Sequence, residues 1–326
     1  MATRTKAAPG TGSPLRANRI APEPIPRRAL GATGETVSAI GLGGYHLGLI
    51  DTERECTRIV HAAIDAGVTF LDNAWEYHDG KSEERVGKAI AGMRDQVFLM
   101  TKVCTHGRDA NVAMRQLHDS LRRLKTDHLD LWQVHEVAFY NDPERHFMKG
   151  GVIEALDRAK HEGKVRFVGF TGHKDPALHL RMLSYGYAFD TVQMPLNCCD
   201  ATFRSFEQVV LPELVRRGIS PIGMKSLGGE GDMVKKKAIS APDALAYAMS
   251  LPVATTVSGI DSMRVLKQNL AVARGFRPLS AEAMQGLRAR VAEVASDGRF
   301  ELYKTTAKHE ANVGRKQHGF PPQGEA

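Results

Sequence analysis

The chain has 326 residues, a formal net charge of +7, 42% hydrophobic and 25% charged residues. These proportions are those of a soluble globular protein with a sizeable core, in one large α/β domain or two ordinary ones. The basic excess suits an anionic ligand, but no basic stripe is interleaved with aromatics and no apolar run approaches the ~20 residues of a membrane span, so neither nucleic acid nor membrane is an expected partner.

Residues 1–26 are rich in Pro, Ala and Arg without periodicity and read as a disordered leader. From residue 27 the chain alternates short apolar runs with amphipathic helical patterns. Segments 27–30 and 36–40 flank Gly31 and Gly34 and read as a hairpin. Strands are then expected at 40–44, 69–72, 97–102, 129–135, 165–171, 191–194, 220–225 and 254–259. The helices following them are expected at 52–66, 82–91, 110–123, 151–162, 176–184, 204–217, 242–249 and 262–274, with one more at 280–295. Gly67, Gly163 and Gly218 each end a helix pattern and precede a strand, as C′ glycines do. Ser82 reads as the start of its helix, with an acidic first turn behind it. Eight β-then-α units in sequence fit a single α/β (β/α)8 barrel over 27–300, with an N-terminal hairpin and an extra C-terminal helix. A doubly wound sheet fits less well. The turn after the first barrel strand, Gly41-Leu42-Gly43-Gly44-Tyr45-His46, lacks the third glycine of a dinucleotide fingerprint. The tail 301–326 either closes over the barrel mouth or projects as a surface arm.

The four cysteines, Cys56, Cys104, Cys198 and Cys199, make no CxxC pair and have no histidine at zinc spacing. Free thiols in a reducing cytoplasm are expected, and no metal site.

Three successive apolar runs end in ionisable groups. Phe70-Leu71-Asp72 leads through Asn73-Ala74-Trp75-Glu76 to Tyr77, the run 97–102 ends in Lys102, and 129–135 ends in His135. At the C-terminal ends of neighbouring barrel strands these side chains share one face. A free phenol, with a pKa of about 10, is a poor acid at neutral pH. An ammonium within ~4–6 Å is expected to lower that value, with Asp72 holding Lys102 charged and His135 donating to a substrate oxygen. The set lacks a nucleophile and suits protonation of an oxyanion, as in carbonyl reduction by a hydride-carrying cofactor.

In these residues, and over roughly 27–274, the sequence resembles the aldo-keto reductases. Phe70 to Tyr77 with Gly80-Lys81-Ser82-Glu83-Glu84 is similar to that family's aspartate–tyrosine signature, Lys102 to its lysine and His135 to its histidine. The resemblance implies a nicotinamide cofactor extended over the barrel mouth, NADP in preference to NAD, with Tyr77 as general acid. It also implies cofactor contacts from Thr171, Gly172 and His173, from Gln193, from Met224, Lys225, Ser226, Leu227 and Gly228, and from Gly259, Asp261, Gln268 and Asn269. Asp261 stands where the family often carries a base, which would repel a 2′-phosphate and leaves NAD open. By position, Tyr45, His46, Trp75, Glu136 and Phe139 are candidates to line a pocket for a small, partly apolar aldehyde or ketone. Two rival readings are a nicotinamide-binding redox sensor with little turnover and a barrel isomerase or lyase acting on phosphorylated substrates.

Overall fold

A computed structural model describes residues 22–106 and 109–323. Most of the expected leader lies outside the described residues. Its last part, 22–26, packs on the barrel: the Gly275 N–H donates to the Pro24 carbonyl at 3.0 Å, and Ile25 is buried.

The described residues form ten strands. A two-stranded antiparallel hairpin joins β1 (Arg27–Ala29) to β2 (Thr36–Ser38). Eight parallel strands then close into a barrel: β3 (Ile40–Gly43), β4 (Phe70–Asp72), β5 (Phe98–Val103), β6 (Leu129–Val134), β7 (Val165–Thr171), β8 (Thr191–Pro195), β9 (Ser220–Met224) and β10 (Thr255–Gly259), with β10 pairing back onto β3. These strands are covered by helices outside and packed side chains inside, which is why they read as apolar runs rather than as an alternation.

Side chains alternate across each strand, and the register fixes what enters the barrel. Phe70, Phe98, Met100, Leu131, Ile222, Ala254 and Val257 form an apolar cluster with Leu30 and Val37 of the hairpin region. Arg28 holds the hairpin down by donating to the Met249 and Val253 carbonyls. The N-terminal end of the barrel is thereby plugged. Two residues further along β4, β5 and β6 stand Asp72, Lys102 and Gln133, joined by Gln193 of β8, all buried. The polar end of the barrel is its C-terminal end.

The helices start on side-chain caps where the sequence offers them. Thr52, Asp109, Asp175, Ser240, Ser262 and Ser280 each accept a first-turn N–H, a contact worth about 1 kcal/mol. Ser82 is an exception to the expectation. The helix Lys81–Ala89 is preceded by Gly80, and the Ser82 hydroxyl instead donates to the Gly44 carbonyl at 2.6 Å. The expected helix 204–217 divides into Phe206–Val209 and Leu211–Arg217, because Pro212 has no N–H to continue the ladder. Two further helices, Gly44–Leu49 and Asp142–Phe147, lie in loops after β3 and β6. Six residues are too few to display a helical period in sequence.

After the outer helix Ala281–Ala295, the chain crosses the C-terminal face of the barrel. Lys304 is wholly buried between Asp200 (2.6 Å) and Glu301 (3.0 Å). Lys174 pairs with Glu310 at 2.8 Å, the Ala311 N–H donates to Glu136, and Gln317 donates to the Cys104 carbonyl.

Candidate active site

The four residues singled out in the sequence are brought together. Asp72 closes β4, Lys102 lies near the end of β5, and His135 follows β6; the three are buried. Tyr77 begins a short turn, Tyr77–Gly80, that returns the chain across the barrel mouth. The Lys102 ammonium pairs with Asp72 and donates to the Asn73 carbonyl at 2.7 Å. Its third direction faces the Tyr77 hydroxyl at 3.4 Å, and the ammonium lies 5.0 Å from that ring's centre. The His135 ring meets the Tyr77 ring edge-on at 5.8 Å.

The electrostatics reverse one expectation. The Lys102 ammonium does not prevail over the phenol's other surroundings. Burial, then the nearby carboxylates of Asp72, Glu76 and Glu136, raise the Tyr77 pKa well above 10. Asp72 already neutralises the ammonium, so the phenol faces an excess of negative charge. Tyr77 therefore keeps its proton through the neutral range.

Glu76 is a part of the site that the sequence reading did not single out. Its carboxylate lies 2.5 Å from His135 Nδ1, so the imidazole's other nitrogen is free to face a ligand. Burial opposes the Glu76 charge, but the His135 imidazole and a hydrogen bond from the Cys104 thiol prevail and hold it below the usual range. The available signal was an acid directly before the tyrosine, in the loop that follows Asp72. Glu136 forms a second acidic centre, 3.2 Å from His173 Nε2 and accepting the Ala311 N–H at 3.0 Å. Burial pushes its carboxyl up to about 7. His173 is kept neutral by burial and by Lys225, whose own ammonium is lowered by burial to about 8.

The candidate cofactor residues ring the same mouth. Thr171 ends β7, and its hydroxyl has no partner although it is buried. Gly172 is required where it stands, since a Cβ there would come within 2.5 Å of the Val137 carbonyl oxygen. Gln193 donates to Asp72 at 2.5 Å, and its own carbonyl oxygen is buried without a donor. Met224 packs on the apolar plug, while Lys225 lies 5.1 Å from the Tyr303 ring centre. Ser226, Leu227 and Gly228 run beneath the tail: a Cβ on Gly228 would lie 2.6 Å from the Phe300 carbonyl oxygen. Gly259 lies under the His46 ring, Asp261 is exposed and Gln268 half-buried. Asn269 donates to Ser258 at 2.9 Å and so ties the helix Met263–Ala273 to β10.

The candidate pocket residues divide. Tyr45 is half-exposed and meets the Tyr77 ring at 5.4 Å. Glu136 lies close enough to Tyr77 to raise its pKa. His46 turns to Gly259, and burial lowers its pKa despite the Asp261 charge. Trp75 points to the helix Ala110–Leu124, its indole N–H 3.5 Å from Asp119 and its ring beneath Arg123. Phe139 is covered by the tail, with His318 at 4.0 Å and Phe320 at 5.4 Å. Fewer apolar rings surround Tyr77 than the order of residues suggested, and more charged groups do.

Residues 39–243 match the family model of the aldo/keto reductase family. The chain is 30% identical over 250 residues to 6-dehydroglucose reductase of Novosphingobium aromaticivorans, covering 71% of this chain and 80% of that one. It is 34% identical over 195 residues to the aldo-keto reductase YhdN of Bacillus subtilis, covering 55% of each. Its structure matches that of an aldo-keto reductase from Klebsiella pneumoniae in complex with NADPH, with TM-score 0.66, 26% identity, and coverage of 82% of this chain and 95% of that one. With a closed barrel, a tyrosine, lysine, aspartate and histidine at its mouth, and these matches, the chain belongs to the aldo-keto reductase family.

Proposed function

We propose that the protein reduces an aldehyde or ketone to the alcohol, using NADPH in preference to NADH, with Tyr77 as the general acid. The observation that carries this reading is the Tyr77 hydroxyl itself: it keeps its proton at neutral pH and lies 3.4 Å from an ammonium braced by Asp72.

A nicotinamide fits the residues present. The Gln193 carbonyl oxygen, the Thr171 hydroxyl and the Asn73 side-chain NH2 are buried at the mouth without partners. A carboxamide, which offers both donors and an acceptor, complements such a set. Arg264 and Lys267, exposed on the helix Met263–Ala273, are candidate partners for a 2′-phosphate beside Asp261. The bound cofactor supplies the hydride.

The chain's own groups then have separable tasks. His135, fixed by Glu76 through Nδ1, directs its other nitrogen to the carbonyl oxygen and orients it. Tyr77 gives its proton to that oxygen as negative charge develops there. Lys102 stabilises the phenolate left behind, and Asp72 with Gln193 keeps the ammonium in place. Preorganised charge of this kind acts strongly where water is excluded, and the tail residues 300–323, lying across the mouth, are suited to exclude it. Glu136, His173 and Lys225 favour a carbonyl compound that carries hydroxyl or other polar groups over an apolar one. Four buried free thiols suit a cytoplasmic setting.

The test is a fluorescence titration with NADPH followed by a carbonyl panel run with both NADPH and NADH. Binding at roughly tens of micromolar or tighter is expected. No binding in that range, or binding with no turnover across sugar, aliphatic and aromatic carbonyls, would sink the reductase reading.

A further inference from the structure

We propose that His106, Asp142 and His318 form a binding site for one divalent transition-metal ion, zinc foremost, which fastens the C-terminal tail to the barrel mouth. The three residues come from the loop after β5, the start of the short helix Asp142–Phe147 after β6, and the end of the chain. No local spacing in the sequence joins them. In the fold, His106 Nδ1 lies 3.2 Å and His318 Nε2 lies 2.8 Å from the same carboxylate oxygen of Asp142. All three ligand atoms fall within 4.8 Å of one another. Zinc bound tetrahedrally at about 2.0–2.1 Å holds its ligand atoms roughly 3.3 Å apart, so small outward shifts suffice.

The carboxylate is already aimed. Asp142 Oδ2 accepts the Ala138 N–H at 2.9 Å and the Phe139 N–H at 2.8 Å, which leaves Oδ1 to face the two imidazoles. Backbone donors of this kind orient metal-binding carboxylates. Two imidazoles and one carboxylate suit zinc, cobalt, nickel or ferrous iron rather than magnesium or calcium.

His106 Nε2 and both ring nitrogens of His146 are buried without any hydrogen-bond partner. His106 Nε2 faces Gly314, so Nδ1, beside Asp142, is the nitrogen left for an ion. Burial, the largest influence on His146, lowers its pKa to about 3.

His318 anchors the last described turn of the tail, where Phe139 and Phe320 flank it at 4.0 and 6.2 Å. A metal on His318 would tie this turn to the loops after β5 and β6, close to Cys104, whose thiol bonds to Glu76.

The test uses the full chain without a polyhistidine tag, stripped by a chelator and returned to metal-free buffer. Titration with Co(II) should give a visible d–d band saturating at one equivalent, which Zn(II) then abolishes. His318→Gln, which keeps a donor toward Asp142, should weaken Co(II) binding at least 100-fold. Zn(II) should slow tryptic cleavage after Arg315 and Lys316 at least tenfold in the wild type and leave the variant unchanged. Absence of a stoichiometric band in folded wild type, or wild-type affinity in His318→Gln, overturns the site. Cleavage rates insensitive to bound zinc overturn its fastening role. Should His318→Gln lose its circular-dichroism signature, His106→Asn gives the same reading. NADPH binding is measured alongside, so a failed metal site and a failed reductase are told apart.

Discussion

Replacing Tyr77 by Phe removes one oxygen and little else. The ring keeps its edge contacts with Tyr45 and His135, at 5.4 and 5.8 Å between centres. Lys102 loses a hydroxyl 3.4 Å away but keeps Asp72 and the Asn73 carbonyl at 2.7 Å, so no buried charge is orphaned. The fold and cofactor affinity should therefore be unchanged. The lost function is proton donation, worth roughly 10²- to 10⁴-fold in rate. At about 1.4 kcal/mol per factor of ten, that is about 3–5 kcal/mol of transition-state stabilisation. Single-turnover measurements of NADPH oxidation with saturating carbonyl should show this loss, while NADPH fluorescence quenching gives the wild-type dissociation constant. The pH dependence has a definite sign. A raised phenol pKa means the acid is present at every pH below it, so the wild-type rate should show no loss assignable to Tyr77 up to pH 9. Turnover close to wild type in Tyr77→Phe would remove Tyr77 as the acid, and a Tyr77-dependent alkaline fall below pH 9 would refute the electrostatic reading.

Glu136, raised by burial to about 7, is protonated below that pH and ionised above it. Its titration should place an inflexion near pH 7 in kcat/KM; in Glu136→Gln that inflexion should disappear, and its persistence there would separate Glu136 from turnover. Asp261→Arg should raise the kcat/KM preference for NADPH over NADH roughly tenfold, the worth of one charge-assisted contact to a phosphate; an unchanged ratio would place Asp261 away from the ribose. Lys304→Met leaves Asp200 and Glu301 buried without their shared cation, a change that costs about 3–5 kcal/mol in comparable cases. Urea unfolding should show it as a lower midpoint, and an unmoved midpoint would mean that the three charges contribute nothing net to stability.

Much of the fold was legible because barrel strands are buried on both faces. Val165–Thr171 was found to the residue, and the other seven barrel strands within one residue at either end. Short helices such as Gly44–Leu49 were not legible, since one and a half turns carry no period. Asp72, Lys102 and His135 were readable because each lies at or next to the C-terminal end of a strand, and strand ends in a barrel converge. Trp75, Phe139 and Glu76 show where this reasoning stops. A residue in a loop is placed by its partners, here Arg123 and Asp119 for Trp75, the tail for Phe139 and His135 for Glu76.

By itself the sequence determined the barrel and the ionisable residues at its mouth, because a strand buried on both faces shows in the chain as a local apolar run. Only the tertiary structure decided the ionisation of Tyr77, which depends on Asp72, Glu76 and Glu136 together. It alone placed the tail on the loops after β5 and β6, and brought His106, Asp142 and His318 to one point. Charges and ligands act through distance in space, and loops separated by tens to hundreds of residues acquire that distance only when the barrel closes.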